Sequence, residues 1–355
     1  MSSERILITG GAGFIGTNLA DRLATSGTHV TIYDNLSRSG VDQNLSWLRD
    51  KHGSRIQVEQ ADIRDVERLS SAVSNVDAIY HLAAQVAVTT SLENPVHDYE
   101  VNLGGTINLL EAVRSRRDPP SVVFTSTNKV YGSLPDVKLR KDRTRYVTVD
   151  ARDASGINEQ RPLEFHSPYG CSKGAADQYV LDYARSFGIK AVVFRMSCIY
   201  GPHQMGTEDQ GWVAHFLIRA LKDETVTICG DGFQVRDILF IEDLVDAFLL
   251  AKSNMNELSG EAFNIGGGSA STTSLLELLD LIEGLQQRPV NVAMDQWRVG
   301  DQRFYVSDTE KFRTATGWNP KVRVREGVCA LYRWLTDVMR ASAETTRRTD
   351  AVLTH

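Results

Sequence analysis

Short apolar runs at 5–9, 29–33, 56–59, 78–82, 121–125 and 191–195 alternate with longer stretches whose apolar residues recur every three or four positions. After the first run, for example, Ile15, Leu19 and Leu23 fall on one face of a helix. Strands alternating with helices this regularly predict a mostly parallel sheet with helices on both faces, an α/β doubly wound domain over residues 1–200. Within it, residues 133–166 are polar, rich in Arg and Asp and weakly periodic, which predicts an insertion over the cleft entrance or a subunit contact.

Beyond Tyr200-Gly201-Pro202 the apolar runs shorten, to 226–228, 238–240 and 262–265, and helical patterns occupy 242–252, 273–285 and 325–339. This predicts a smaller α+β lobe over 201–339, some of whose elements return to the first domain. From Arg340 the chain turns polar and Thr-rich, so a flexible tail is expected over 340–355.

Where the first strand pattern becomes a helix, the residues are Gly10-Gly11-Ala12-Gly13-Phe14-Ile15-Gly16. Glycines at such a junction let the backbone turn tightly and approach a pyrophosphate, and the free N–H groups of the helix start face the anion. Gly10, Gly13, Phe14, Ile15 and Gly16 are therefore candidate dinucleotide contacts. Asp34 ends the second strand, where a carboxylate accepts hydrogen bonds from a ribose and repels a 2′-phosphate, which favours NAD over NADP. Asn35 and Ser37 join it, and Arg38 is the nearby group able to accommodate that phosphate. Asp62-Ile63 suit the adenine edge, and Leu82 with the small Ala83 and Ala84 leaves room for a cofactor at a strand end. His81, inside a strand pattern, reads as structural. Asn102, in a core-like helix expected over 94–116, must find buried partners and is expected to fasten backbone beside the cofactor.

The proton-transfer candidates lie further along. In Ser167-Pro168-Tyr169-Gly170-Cys171-Ser172-Lys173, Tyr169 and Lys173 stand one helical turn apart. An ammonium ion beside a phenol favours the phenolate, so Tyr169 is expected to take a proton from an alcohol near neutral pH. The fifth strand pattern, 121–125, opens into Ser126 and Thr127, where a hydroxyl reaches the same cleft, and Thr127 is the expected partner of the reacting oxygen. Gln85, Thr127, Asn128, Cys198 and Gln204 are candidate substrate contacts from the cofactor side. Arg236, Arg298 and Arg303 are candidates from the second lobe, because arginine chelates a diphosphate in bidentate fashion.

Composition narrows the ligands. With 355 residues, a net charge of −6 and a pI of 5.8, the chain has no electrostatic footprint for nucleic acid or an anionic membrane. Cys171, Cys198, Cys229 and Cys329 are scattered, suggesting neither a metal site nor a disulfide framework. A reduced, cytoplasmic protein is expected.

Taken together, these motifs resemble the extended short-chain dehydrogenase/reductase family. Thr9 to Gly16 matches its nucleotide loop, Tyr169 and Lys173 match its catalytic pair, and Thr127, shortly before Val130-Tyr131-Gly132, matches its catalytic Ser/Thr. The resemblance implies a Rossmann-type domain binding NAD, a nucleotide sugar under the C-terminal cap, and a homo-oligomer. The stretches 126–132, 165–179, 209–213, Gln234-Val235-Arg236-Asp237 and Asp301-Gln302-Arg303 are similar to a branch that epimerises carbon 2 of CDP-linked sugars. That implies an isomerase working by transient oxidation to a ketone and hydride return. Two alternatives remain: a dehydratase acting on a sugar nucleotide or a nucleoside, and a non-catalytic NAD-binding regulator. Related 4,6-dehydratases carry Asp-Glu where this chain has Asn128-Lys129, and the branch's Gly-Arg is replaced by Pro202-His203.

Overall fold

The computed structural model describes residues 4–298 and 301–353. Strand and helix alternate through the first part as β1 (Arg5–Thr9), α1 (Phe14–Thr25), β2 (His29–Asp34), α2 (Val41–His52), β3 (Ile56–Gln60), α3 (Val66–Val73) and β4 (Ala78–His81). Then come α4 (Val88–Glu93), α5 (Pro95–Tyr99), α6 (Gly105–Arg114) and β5 (Ser121–Thr127). A hairpin of β6 (Leu139–Asp142) and β7 (Arg145–Thr148) precedes α7 (Ser167–Phe187), β8 (Ala191–Met196), β9 (Cys198–Tyr200) and α8 (Trp212–Leu221). The remainder contains β10 (Val226–Cys229), β11 (Val235–Phe240), α9 (Ile241–Ser253), α10 (Met255–Leu258), β12 (Ala262–Ile265) and β13 (Thr272–Ser274). It closes with α11 (Leu275–Gln286), β14 (Val292–Asp295), β15 (Phe304–Tyr305), α12 (Glu310–Thr316) and α13 (Val324–Leu353).

Seven strands form the central sheet in the order β12-β8-β5-β4-β1-β2-β3, every pair parallel. The strand order reverses between β1 and β4, so the crevice at their C-terminal ends lies where such sheets bind ligands. Strand pleating sends alternate side chains to opposite faces. Ile6 and Ile8 pack into one core with residues of α1, α2 and α9, while Leu7 packs into the other with residues of α3, α6 and α7. This is the Rossmann-type architecture that the sequence pattern predicts.

The smaller lobe is built on β11, paired with β13, β15 and β9, beside a two-stranded β10–β14 sheet. One of its strands, β12, belongs to the central sheet instead, and α9 packs on α1.

Of the two places expected for the segment 133–166, the cleft entrance is not the one it takes. It does not line the cleft; Leu134, Val137, Tyr146 and Ile157 are buried in a third core with Val235 and Phe304 of the small lobe. Tyr146 donates to Asp231 at 2.7 Å, and Arg145 ion-pairs with Glu277. The polar composition hid a few well-spaced apolar anchors.

Two helical expectations also change. A continuous helix over 94–116 is broken by a π turn, Glu100–Gly104, around the buried Asn102. Such turns redirect side chains out of the regular helical stagger. At the C-terminus α13 continues through Leu353, past the tail expected from residue 340. That stretch contains neither Gly nor Pro, and the helix is anchored upstream by buried Val328, Leu331 and Leu335.

Candidate active site

A cleft of about 720 Å³ runs along the C-terminal ends of the central strands and under the small lobe. At one end stands the glycine turn between β1 and α1. Gly10 has φ +68°, and a Cβ there would lie 2.7 Å from the backbone nitrogen of Ala83. A Cβ on Gly16 would lie 2.6 Å from the Gly11 Cα. Only glycine permits this packing. The first turn of α1 has no side-chain cap and no acidic residue, so its N–H groups remain available to an anion in the cleft.

Asp34 accepts from the backbone nitrogens of Ala12 (3.1 Å) and Leu36 (2.9 Å), which ties the tip of β2 to the glycine turn. Burial raises its pKa. Asp62 accepts from Asn35 Nδ2 at 3.0 Å and from Arg64, whose guanidinium holds its carboxyl well below the usual range. Arg38 reaches across the cleft mouth to Gln210 Oε1 at 2.6 Å, linking the cofactor side to the small lobe.

At the other end are the proton-transfer candidates. Pro168 opens α7, and Ser91 Oγ takes the Tyr169 backbone N–H at 3.2 Å, satisfying a donor of the first turn. Tyr169 is hydrogen-bonded to Thr127, whose Oγ1 also meets Asn128 Oδ1 at 3.3 Å and the Lys129 nitrogen at 3.2 Å. Lys173 is buried, with its ammonium on the Thr125 carbonyl at 2.6 Å and over the Phe124 ring. The electrostatics reverse one expectation. Burial pushes the Tyr169 phenol up to about 12, the Thr127 bond opposing it, and pushes Lys173 down to about 7 against the pull of Asp177 and Asp98. Desolvation acts against the charge of both groups and outweighs their neighbourhood on the helix.

Of the cofactor candidates, Asn102 alone does not line the cleft. It stands behind the wall, donating to the Gln85 carbonyl (3.0 Å) and accepting from the Gln85 nitrogen (2.9 Å), thereby fixing the backbone of a residue that does. Gln85, Thr127, Asn128, Cys198 and Gln204 also line it, whereas Arg236, Arg298 and Arg303 do not. Arg236 is buried against Asp301 at 2.8 Å, Arg298 pairs with Glu208 at 3.0 Å, and Arg303 lies exposed over Trp297. Their charges are taken up by carboxylates or solvent, contacts that local sequence does not reveal. His81 is structural, bridging Thr9 (2.7 Å) and Thr106 (3.1 Å) in full burial.

The sequence reading missed Asn44, Met205 and Trp212, which line the cleft. Asn44 fixes the small-lobe loop by donating to the His203 carbonyl at 3.2 Å. A buried polar residue within the apolar face of α2 is the signal that could have found it.

The glycine cradle, the uncapped helix start and the ribose-side carboxylate fit a nicotinamide dinucleotide. The buried Ser126 Oγ, which has no hydrogen-bond partner among the described residues, lies in the same cleft. A dinucleotide cleft that leads to a Tyr, Lys and Thr set defines an enzyme that works on an alcohol with a bound nicotinamide. The chain belongs to the NAD dependent epimerase/dehydratase family, whose model matches residues 6–266. It is 44% identical to CDP-paratose 2-epimerase of Salmonella typhi, over 94% of this chain and all of that protein. The crystal structure of UDP-glucose 4-epimerase from Thermotoga maritima with UDP-glucose superposes with a TM-score of 0.81 at 31% identity, covering 94% of this chain and 99% of the other. UDP-glucuronic acid 4-epimerase from Bacillus cereus, in complex with UDP-glucuronic acid and NAD, gives 0.81 at 28% identity with the same coverage. NAD is the cofactor, and the enzyme is of the epimerase/dehydratase type.

Proposed function

We propose that this enzyme inverts carbon 2 of a CDP-linked sugar of the CDP-paratose/CDP-tyvelose type. The observation that carries this reading is the 44% identity with CDP-paratose 2-epimerase over that protein's whole length. The single cleft joining the glycine turn to Thr127, Tyr169 and Lys173 supports it.

Bound NAD supplies a hydride acceptor, the means of hydride return, and a positive charge that favours the phenolate. Tyr169 removes the proton from the sugar hydroxyl, Thr127 holds the reacting oxygen, and Lys173 supplies positive charge behind the phenol. Oxidation makes the carbon planar. When the sugar presents its other face, Tyr169 returns the proton to the oxygen and the centre is inverted. Gly211, Trp212 and Val213 at the uncapped start of α8 line the cleft, and their backbone N–H groups suit the diphosphate, which stays anchored while the sugar turns. Elimination of water ranks second, because the side chain beside Thr127 is the carboxamide of Asn128, which is no proton donor or acceptor at neutral pH.

Four free cysteines support a reducing, cytoplasmic setting, and among the described residues no helix is long and apolar enough to cross a membrane. Exposed Leu92, Val96, Tyr99 and Tyr179, on packed helices α4, α5 and α7, support a homo-oligomer.

Incubation with CDP-paratose in heavy water tests the reaction. Conversion to the 2-epimer, with unchanged mass and no deuterium at carbon 2, is expected. Loss of water from the sugar, or no conversion, would reject it.

A further inference from the structure

Lys173 is 3% exposed, and its ammonium bonds the neutral Thr125 carbonyl. A buried ammonium needs compensating charge to remain protonated. Two buried carboxylates act on it, Asp177 and Asp98. Asp177 is already matched by Arg195, which holds it in a bidentate pair at 2.9 and 3.0 Å. Asp98 is different. Its oxygens take neutral donors, Ser172 Oγ at 2.5 Å and Asn102 Nδ2 at 3.0 Å, so its charge is not cancelled by either partner. Ser172 directly precedes Lys173, and its hydroxyl also meets the Tyr169 carbonyl at 3.2 Å. Asp98 is thus fastened to the turn of α7 that carries both proton-transfer candidates, and the π turn places Asn102 behind it.

We propose that Asp98 is the counter-charge that keeps Lys173 an ammonium ion, a positioning residue for the Tyr169–Lys173 pair. The proposal rests on the reading of that pair given above. The other titratable groups around it are accounted for: His97 sits beside Asp98 at the cleft, Tyr169 and Asp177 lie on α7, and buried His81 of β4 is held neutral, its pKa pushed down to about 3.

The test uses Asp98→Asn, which keeps the shape and removes the charge, with Asp98→Ser as a second neutral variant should Asn not fold. In the holoenzyme, the alkaline limb of kcat/KM for CDP-paratose should move to lower pH by about one unit, as loss of a nearby opposite charge requires. Competitive acetylation read by mass spectrometry should show the same fall in the Lys173 pKa, whatever the substrate. Ser172→Ala, which keeps the carboxylate, should leave the limb in place. A uniform loss of rate with an unmoved limb and an unmoved Lys173 pKa in the neutral variant that folds would overturn the proposal. Tyr169→Phe separates the two readings: if it retains activity, the base assignment fails; if it is inactive while the neutral variants titrate like wild type, only the role of Asp98 fails.

Discussion

Tyr169 sits at the meeting point of two opposed effects: burial, which resists ionisation, and the Thr127 hydroxyl, which assists it. Tyr169→Phe should lower turnover about 10²- to 10⁴-fold, the usual contribution of a positioned base. NAD released on denaturation should match wild type. His81 gives a second measurable consequence. Its folded pKa of about 3 lies below its ordinary 6.5, so between these values the unfolded chain binds the proton and the folded one does not. Stability should therefore fall as pH drops from 6.5 towards 3, by up to about 1.4 kcal/mol per unit. Comparing the pH dependence of Tm with that of His81→Gln isolates this part, and equal slopes would refute it. The Tyr169–Lys173 spacing was legible because it is local. The partners that govern the pair were not, since Thr125 and Asp98 come from a different strand and helix.

At the level of elements, the strand–turn–helix of the glycine loop was readable because glycine there answers a backbone demand. The close approaches confirm that demand: the atoms nearest a Cβ on Gly16 are backbone atoms of Gly10 and Gly11, which have no flexible end to move aside. Gly16→Val should weaken NAD binding at least about tenfold, given the dependence of anion binding on this turn. Titration calorimetry on cofactor-depleted protein would check it; unchanged affinity would mean that the loop has room. Arg236 and Arg298 show the converse. Their chemistry suited a diphosphate, yet Asp301 and Glu208 engage them, and such pairings depend on distant chain segments. The π turn around Asn102 was equally invisible, because the apolar spacing through 94–116 remains helical on both sides of it.

On the scale of the whole molecule, the parallel sheet and the smaller lobe followed from the change in run length after residue 200. The docking of 133–166 did not, because its few apolar anchors are buried largely against distant chain, Val235 and Phe304 to Val306 of the small lobe. The apolar side chains on α4, α5 and α7 lead to a solution prediction. Val96→Lys combined with Tyr99→Lys should lower the mass measured by light scattering from that of the oligomer towards that of one chain. A wild-type protein already of single-chain mass would reject the homo-oligomer.

The placement of β12 reaches furthest. The chain leaves the central sheet after β8, builds β9 to β11 of the cap, and then returns to lay β12 along the sheet's free edge before going back to finish the cap. The two lobes are therefore interleaved, not hung on one hinge. A fragment cut at residue 200 would expose the flank of β8 as an unprotected edge, inviting pairing with another chain. Grafting a cap from a relative must accordingly carry a sheet strand with it, whereas a loop such as 202–211 can be exchanged without reopening the shared sheet.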